Sequence, residues 1–467
     1  MTSPTFQRAT SLDRFYDALD PRPLTTHAGL EAFYYKELNT VRGEDSVPRL
    51  QMGLTRAFGG RFFRAFFAGH SGCGKTTELT RLAEKVSEKY RVIRFSAKDE
   101  MHPTSAKPFD VLILMMIRLG EAIAKPEAEG GLAWEPDDDL SRRVMDWFAV
   151  EKSIAKTATG IGASIEAGVG ADGDSLWSKA LGLFAKLKGE VKYSSNRETE
   201  IVTLRSSRLP ELIALVNTFF SVCNEELKRK RGQEWLFLGE DFEKLLDSRL
   251  PKTFFVTESA VFSSLQTHLI FTIPVDLAWA ESGTSLPFPV YPILDTPVYS
   301  ATFEADGGRD ALRALLARRI DLDRIGSGQL DRFIVASGGH LRDLFYLIRE
   351  AADLALLDQP EAAQIEKKHA TRAIAKLRQE VLLRLGDDPY APAPIPWAKR
   401  AERLVALYQR EPAADVPDAI LHSLLLARAV QQFNGEGRFG VAPLVVDILM
   451  KQSLLGPGSP GGLLPAE

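Results

Sequence analysis

The sequence predicts an α/β protein: a three-layer αβα core on a parallel sheet, then an all-helical region, then a small mixed module. Three observations carry this. The stretch GHSGCGKTTEL, residues 69–79, sets a glycine loop between an apolar run and a helical stripe. Apolar runs and helical stripes alternate up to residue 300. Beyond that point the pattern turns helical and closes on a hairpin signal.

The first strand is Phe62 to Ala68, apolar and aromatic enough to be buried on both faces. Gly69, four residues, Gly74, Lys75 and Thr76 then match G-x-x-x-x-G-K-[ST] in full. Leu79, Leu82, Ala83 and Val86 recur at helical spacing, so a helix begins at the loop. Gly69, His70, Ser71, Gly72, Cys73, Gly74, Lys75, Thr76 and Thr77 are therefore the candidate phosphate-binding residues. Gly72 and Gly74 let backbone N–H groups turn inward around phosphate oxygens, and the helix N-terminus adds its dipole. Lys75 reaches the terminal phosphates, and Thr76 offers its hydroxyl to Mg²⁺. The expected ligand is a nucleoside triphosphate. Cys73 is read as a small residue that fits the loop rather than as a redox switch.

A second strand is expected over Arg91 to Ser96. Residues 126–200 fit no core element; their segment TATGIGASIEAGVGADG reads as a loop or hairpin suited to protein–protein contact. Leu212, Leu215, Val216, Phe219, Phe220, Cys223 and Leu227 form one helical stripe. It ends in Lys228 to Arg231 and Gly232, cations at a helix C-terminus with a glycine cap, a better account than a nucleic-acid patch.

The run EWLFLGEDFEKL supplies the acidic partner that a triphosphate site needs. Trp235 to Leu238 form a strand that ends in Gly239, Glu240 and Asp241. Glu240 is assigned to the metal and Asp241 to the attacking water, with Glu243 as the outside contender. The strand Leu269 to Ile273 carries Thr272 near its end. That hydroxyl either senses the γ-phosphate and orients water or is a strand-end threonine without a role.

Beyond residue 300, Leu312, Leu315, Leu316 and Ile320 make one stripe, and Leu330, Phe333 and Ile334 the next. In SGGHLRDLFYLIREA a glycine pair breaks the chain before a new amphipathic helix. Arg342 falls in its first turn, where a cation is disfavoured unless an anion compensates it. A planar fork suits phosphate oxygens.

This order resembles the AAA+ ATPases: phosphate loop, acidic strand end, Thr-ended strand, helical lid with GG-x-x-R. It is most similar to their origin-recognition-like and STAND branches in prokaryotes, over residues 40–385. The resemblance implies a P-loop NTPase core, ATP with Mg²⁺, Thr272 as sensor 1 and Arg342 as sensor 2. It implies that Arg42, Gly43 and Glu44 form the short box that touches the base. The chain departs at two points. Gly239 stands where the family carries a hydrophobic or acidic residue, which leaves the Glu240/Asp241 roles open by one position. Arg249 alone is a candidate arginine finger, which leaves oligomeric assembly open.

Near the end, Leu404 to Tyr408 and Ile420 to Leu426 read as short helices. RAVQQFNGEGRFGVAPLVVDIL reads as strand, turn, strand and helix, and the whole resembles a winged helix. Its charge is nearly balanced, seven Lys or Arg against six Asp or Glu from Trp397 through Lys451, which disfavours DNA. The expected division is a helical lead-in over 1–55, the ATPase core over 56–300 with the 126–200 insertion, a lid over 301–390, a winged-helix-like domain over 396–452 and a flexible tail over 453–467.

Composition bounds the rest. A length of 467 residues allows two to four domains, and 45% apolar with 26% charged residues is ordinary for a globular chain. A net charge of −4 argues against a nucleic-acid coat protein. Two cysteines build no disulfide framework, and the N-terminal residues lack a signal-peptide core, so a cytoplasmic location without membrane contact is expected. The leading functional reading is an ATP-hydrolysing switch that controls an unidentified partner protein through lid closure. Signalling or phage defence as its setting follows from the resemblance alone. The alternative is a DNA-binding initiator or loader. A small-molecule kinase is weakest, because no acceptor motif appears.

Overall fold

Five parallel strands form the central sheet, in the order β2-β3-β4-β1-β5. They are β1 (Arg64–Ala68), β2 (Tyr90–Ser96), β3 (Glu234–Glu240), β4 (His268–Ile273) and β5 (Val290–Pro292). The structure is a computed structural model describing residues 6–43, 45–159, 175–193, 207–279, 286–299, 307–387, 393–432, 439–457, 459–460 and 462–463. Strand β5 was not expected. Prolines 287, 289 and 292 crowd it, and it is tolerated because it lies at the sheet edge, where missing N–H donors break no ladder.

The strands alternate in period two between two apolar layers. Phe66, Ala68, Trp235, Phe237 and Phe271 face one layer, and Ala65, Phe67, Leu236, Leu238 and Ile270 the other. Helices α1 (His27–Phe33), α2 (Glu37–Val41), α3 (Ser46–Ala57) and α4 (Lys75–Val86) come first in the chain. Of these, α3 and α4 cover the second layer with Leu50, Leu54, Leu79 and Leu82.

The first layer is covered by α5 (Pro108–Ala124), α6 (Asp138–Thr159), α7 (Leu176–Tyr193) and α8 (Leu209–Arg231). Most of the 126–200 insertion thus belongs to the core. Trp147, Phe148, Trp177 and Phe184 are buried against α5 and α8, with Trp177 and Phe219 rings 5.5 Å apart. The sequence concealed this because α5 is apolar all round, so its partners carry no matching polar stripe. A Cβ at Gly120 of α5 would come within 2.9 Å of the Phe184 ring, which explains that glycine. Residues 160–174, most of the glycine-alanine run, lie outside the described residues. Helix α8 ends at Arg231 with Gly232 in the left-handed conformation, φ 66°, the expected cap.

The helical region contains α9 (Gly307–Arg319), α10 (Gln329–Ala336), α11 (Leu341–Asp358) and α12 (Lys367–Arg384). Its core also takes in Ala9, Leu12, Phe15 and Leu19, and Ala9 bridges Ile320 as a strand would. The lead-in is therefore split: residues 9–19 pack with the lid, α3 packs on the sheet, and α1 and α2 run between them.

The last module is α13 (Trp397–Gln409), α14 (Ala419–Leu426), an antiparallel hairpin β6 (Val430–Gln432) and β7 (Phe439–Val441), and α15 (Pro443–Lys451). Its turn residues 433–438 lie outside the described residues. Helix α14, directly before the hairpin, packs on the short core helix Val275–Trp279, and His422 bonds the buried Asp276 there. Among the described residues no helix is long and apolar enough to cross a membrane.

A candidate nucleotide-binding site

Because all five strands run the same way, their C-terminal ends gather the chemistry at one edge of the sheet. Ser96 stands opposite Glu240, and Phe67 opposite Thr272. The loop from Gly69 to Gly74 leaves β1 and enters α4 at Lys75, as the motif requires. Gly72 and Gly74 have φ of 96° and 110°, a region that L side chains rarely enter. Gly74 caps the helix whose free N–H groups and dipole face the loop.

Lys75 is buried and donates to the carbonyls of Gly69 at 2.8 Å and His70 at 3.0 Å. Its ammonium also pairs with Glu243 Oε1 at 2.7 Å. Burial alone pulls its pKa down, but the Glu243 charge outweighs that and the net shift is upward. Glu243 Oε2 in turn accepts from Thr272 Oγ1 at 3.2 Å, and that hydroxyl accepts from the Asp241 N–H at 2.9 Å. Thr272 thus touches two of the acidic residues, and Glu243 is the one that reaches the loop lysine.

Glu240 ends β3 and is buried. Its Oε1 accepts from Arg94 Nε at 2.7 Å, while Arg94 also donates to Thr80 Oγ1 and the Thr76 carbonyl. Burial raises the Glu240 pKa against the opposing pull of Arg94 and the Thr76 hydroxyl. Its Oε2 is buried without a hydrogen-bond partner among the described residues. An orphaned carboxylate oxygen beside a threonine hydroxyl fits a hard divalent cation, so Thr76 and Glu240 would hold Mg²⁺. Mg²⁺ bound there would neutralise charge on the outer phosphates.

Asp241 follows with φ 65°, and its carboxylate is held by Ser96 Oγ at 3.0 Å and by Lys244. The glycine before the acids has a local cause. A Cβ at Gly239 would come within 2.5 Å of the Phe271 ring and 2.7 Å of Phe95, so the neighbouring strands fill that space.

The lid lies directly on the phosphate loop. Arg342 Nη1 donates to Ser71 Oγ at 3.2 Å, and His340 Nε2 donates to the Ser71 carbonyl at 2.8 Å. Both side chains crowd Gly72, where a Cβ would come within 2.8 Å of His340 and 2.9 Å of Arg342. Asp343 does not pair with Arg342. It binds Arg428 of the last module at 3.2 Å and faces Arg384 at 3.6 Å. Burial would raise its pKa, but His340 and Arg428 hold it down at about 2. On the core side, His70 of the loop bonds Asp295 at 2.8 Å, and despite burial His70 and His340 keep that carboxyl far below the usual range.

One pocket joins these groups, about 880 Å³ with its open mouth. The loop residues Gly72 to Thr77, Asp241, Glu243 and Arg342 line one part of it. The rest is lined by residues 21–24, Tyr34, Tyr35, Asn39 and Arg42 from the lead-in, and by Leu315, Arg319 and Phe345 from the lid. The lead-in is tied to α4: Leu24 N–H donates to Thr77 Oγ1 at 3.1 Å, and Glu78 accepts from Tyr34 Oη at 3.0 Å and Asn39 at 3.2 Å. Arg42 Nε bonds Thr296 at 3.1 Å, Gly43 follows with φ 94°, and Glu44 lies outside the described residues. Cys73 is fully buried and burial raises its pKa, so the thiol is unreactive packing. Arg249 pairs with Asp247 at 2.7 Å.

Neither a family model nor a curated protein matches the chain. Among solved structures it is similar to the Orc1 protein of Aeropyrum pernix in complex with DNA, with 13% identity, 94% of this chain and 98% of that one covered, and a TM-score of 0.37. It is similar to Cdc6p from Pyrobaculum aerophilum at 11% identity, 94% and 99% coverage and a TM-score of 0.34. The RuvB Holliday junction branch migration motor of Thermotoga maritima gives 11% identity, 99% and 100% coverage and a TM-score of 0.31. These are distant likenesses, and the reading of the site rests on its geometry.

Arg94, His340, Asp295 and Arg319 were not singled out in the sequence. Only Arg94 left a trace there, a cation in the middle of an otherwise apolar strand.

Proposed function

We propose that this chain is an ATP-binding and ATP-hydrolysing switch whose lid responds to the nucleotide at the phosphate loop. One observation carries the reading: Arg342 and His340 of the lid both bind Ser71, inside the loop built for phosphate. An anion on Lys75 and the α4 N-terminus gives the Arg342 guanidinium a charged acceptor in place of a hydroxyl. Glu240 and Thr76 hold Mg²⁺, Lys75 holds the terminal phosphate, and Asp241 or Glu243 orients the attacking water, with Thr272 linking the two acids. The chain's order of parts, like that of origin-recognition ATPases, supports action on DNA at least as well as control of a partner protein. Against DNA stand the balanced charge of the last module and the engagement of α14 by the core.

The test uses the full chain. Hydrogen exchange across residues 307–385 should slow with Mg²⁺ and ATP in the parent and stay unchanged in Arg342→Ala. If the mutant lid responds as the parent does, the switch reading is wrong. Duplex DNA titrations at about 50 and 200 mM salt decide the output, since phosphate contacts give a steep salt slope. Nanomolar binding with such a slope selects the initiator reading.

A further inference from the structure

Arg319, the last residue of α9, is an unusual cation for a pocket wall. It is 6% exposed and sandwiched between two rings, its guanidinium carbon 4.6 Å from the Phe33 centroid and 4.7 Å from the Phe345 centroid. Rings on both faces leave only in-plane directions for hydrogen bonds. Nη1 uses one, donating to the Ala18 carbonyl at 3.1 Å. Nε–H is buried and has no partner among the described residues. Burial lowers the Arg319 pKa to about 10, with Asp20 opposing it, so the charge is poorly compensated by the protein itself. A buried donor of this kind costs stability unless something accepts its hydrogen bond.

The location narrows what that acceptor is. Arg319 lines the same pocket as the phosphate loop, in company with Phe33, Leu38, Leu315 and Phe345. Those apolar side chains suit a flat heterocycle rather than a phosphate. Arg42 adds a second buried unspent donor, Nη2, to the wall. An apolar slot whose free polar atoms are donors favours a ring that presents acceptors along one edge. Purines do so at N7, where arginine is a common partner, and pyrimidines have no such atom.

We propose that Arg319 is a specificity-determining residue that reads the N7 edge of a purine nucleotide through its Nε–H. The inference rests on the nucleotide reading of the phosphate loop. Adenine and guanine share N7, so both nucleotides enter the test, each paired with its 7-deaza analogue, in which a carbon replaces the acceptor. Calorimetry on the full chain with Mg²⁺ should show 7-deaza-ATP or 7-deaza-GTP binding about ten- to a hundredfold more weakly than its parent, the range of one charge-assisted hydrogen bond. The pair with the tighter parent identifies the base. Arg319→Gln should erase the difference between parent and analogue while leaving inorganic tripolyphosphate binding unchanged.

Equal affinity of parent and analogue for the unmodified protein overturns the proposal, and that measurement needs no mutant. Equal losses of tripolyphosphate and ATP in a folded Arg319→Gln protein also overturn it, because the side chain would then serve phosphate or packing. Failure of the unmodified chain to bind either tripolyphosphate or ATP removes the phosphate-loop reading itself.

Discussion

The sheet side of the pocket takes its groups from residues 69–77, 240–243 and 272, whereas the helical side collects them from residues 21–42 and 315–345. On the sheet side, strand ends set the positions. Ser96, Glu240 and Thr272 stand where parallel pairing leaves them, and every one belongs to a buried ladder. On the helical side nothing is hydrogen-bonded into a sheet. Arg342, His340 and Arg319 reach the pocket because the lid packs against the lead-in and the loop. The difference separates binding from response: one side is held by the core, and the other can move as a body against it.

Four experiments probe that division. The largest effect is expected from Lys75→Ala, which should take ATP binding beyond calorimetric detection. It also strands the buried Glu243 carboxylate, with a stability loss of about 3 to 5 kcal/mol in chemical denaturation. Unchanged ATP affinity would remove the sheet side from the site. Next come the acids. Glu240→Gln, and whichever of Asp241→Asn and Glu243→Gln removes the water-orienting group, should slow hydrolysis by about tens to thousands of fold with ATP still bound. Steady-state rates of the three single mutants decide between Asp241 and Glu243, and parental rates in all three would place catalysis elsewhere.

A smaller change is expected on the helical side. Arg342→Ala should cut the nucleotide-dependent closure of the lid by about ten- to a hundredfold, read as loss of protease protection, while ATP still binds. Arg342→Lys should restore part of it, since an ammonium cannot grip two oxygens in one plane.

The smallest effect concerns the joint between lid and last module. The folded-state pKa of Asp343, about 2, lies below its ordinary 3.8. Its stabilisation is therefore full above pH 4 and lost as pH falls toward 2, about 2 kcal/mol in all. Asp343→Asn should remove that part of the acid sensitivity and lower the Tm at pH 7. An unchanged pH profile would mean that Arg428 and His340 do not hold this carboxylate.

Legibility followed the same line. The phosphate loop, β3 with its acids and β4 with Thr272 were readable because each is a local pattern: a motif, an apolar run, a polar strand end. The Glu243–Lys75 contact was not, since it joins residues far apart in the chain, and the better guess from adjacency alone was Asp241. The insertion was misjudged as outside the core because helices buried on an all-apolar partner lack the usual stripe. Arg319 carried no signal, since nothing local tells a buried cation from the exposed arginines beside it.

By itself, then, the sequence determined the order of strand, loop and helix, the triphosphate chemistry of the loop and the cation at the first turn of α11. Those depend on neighbours within a few residues, through backbone freedom, helix dipole and side-chain period. Only the tertiary structure decided that Glu243 meets Lys75, that the lead-in joins lid to core, and that Arg319 ends between two rings with a free N–H. Such contacts come from packing of distant segments, where burial and the need to pair polar groups select the partner, and no local pattern encodes that choice.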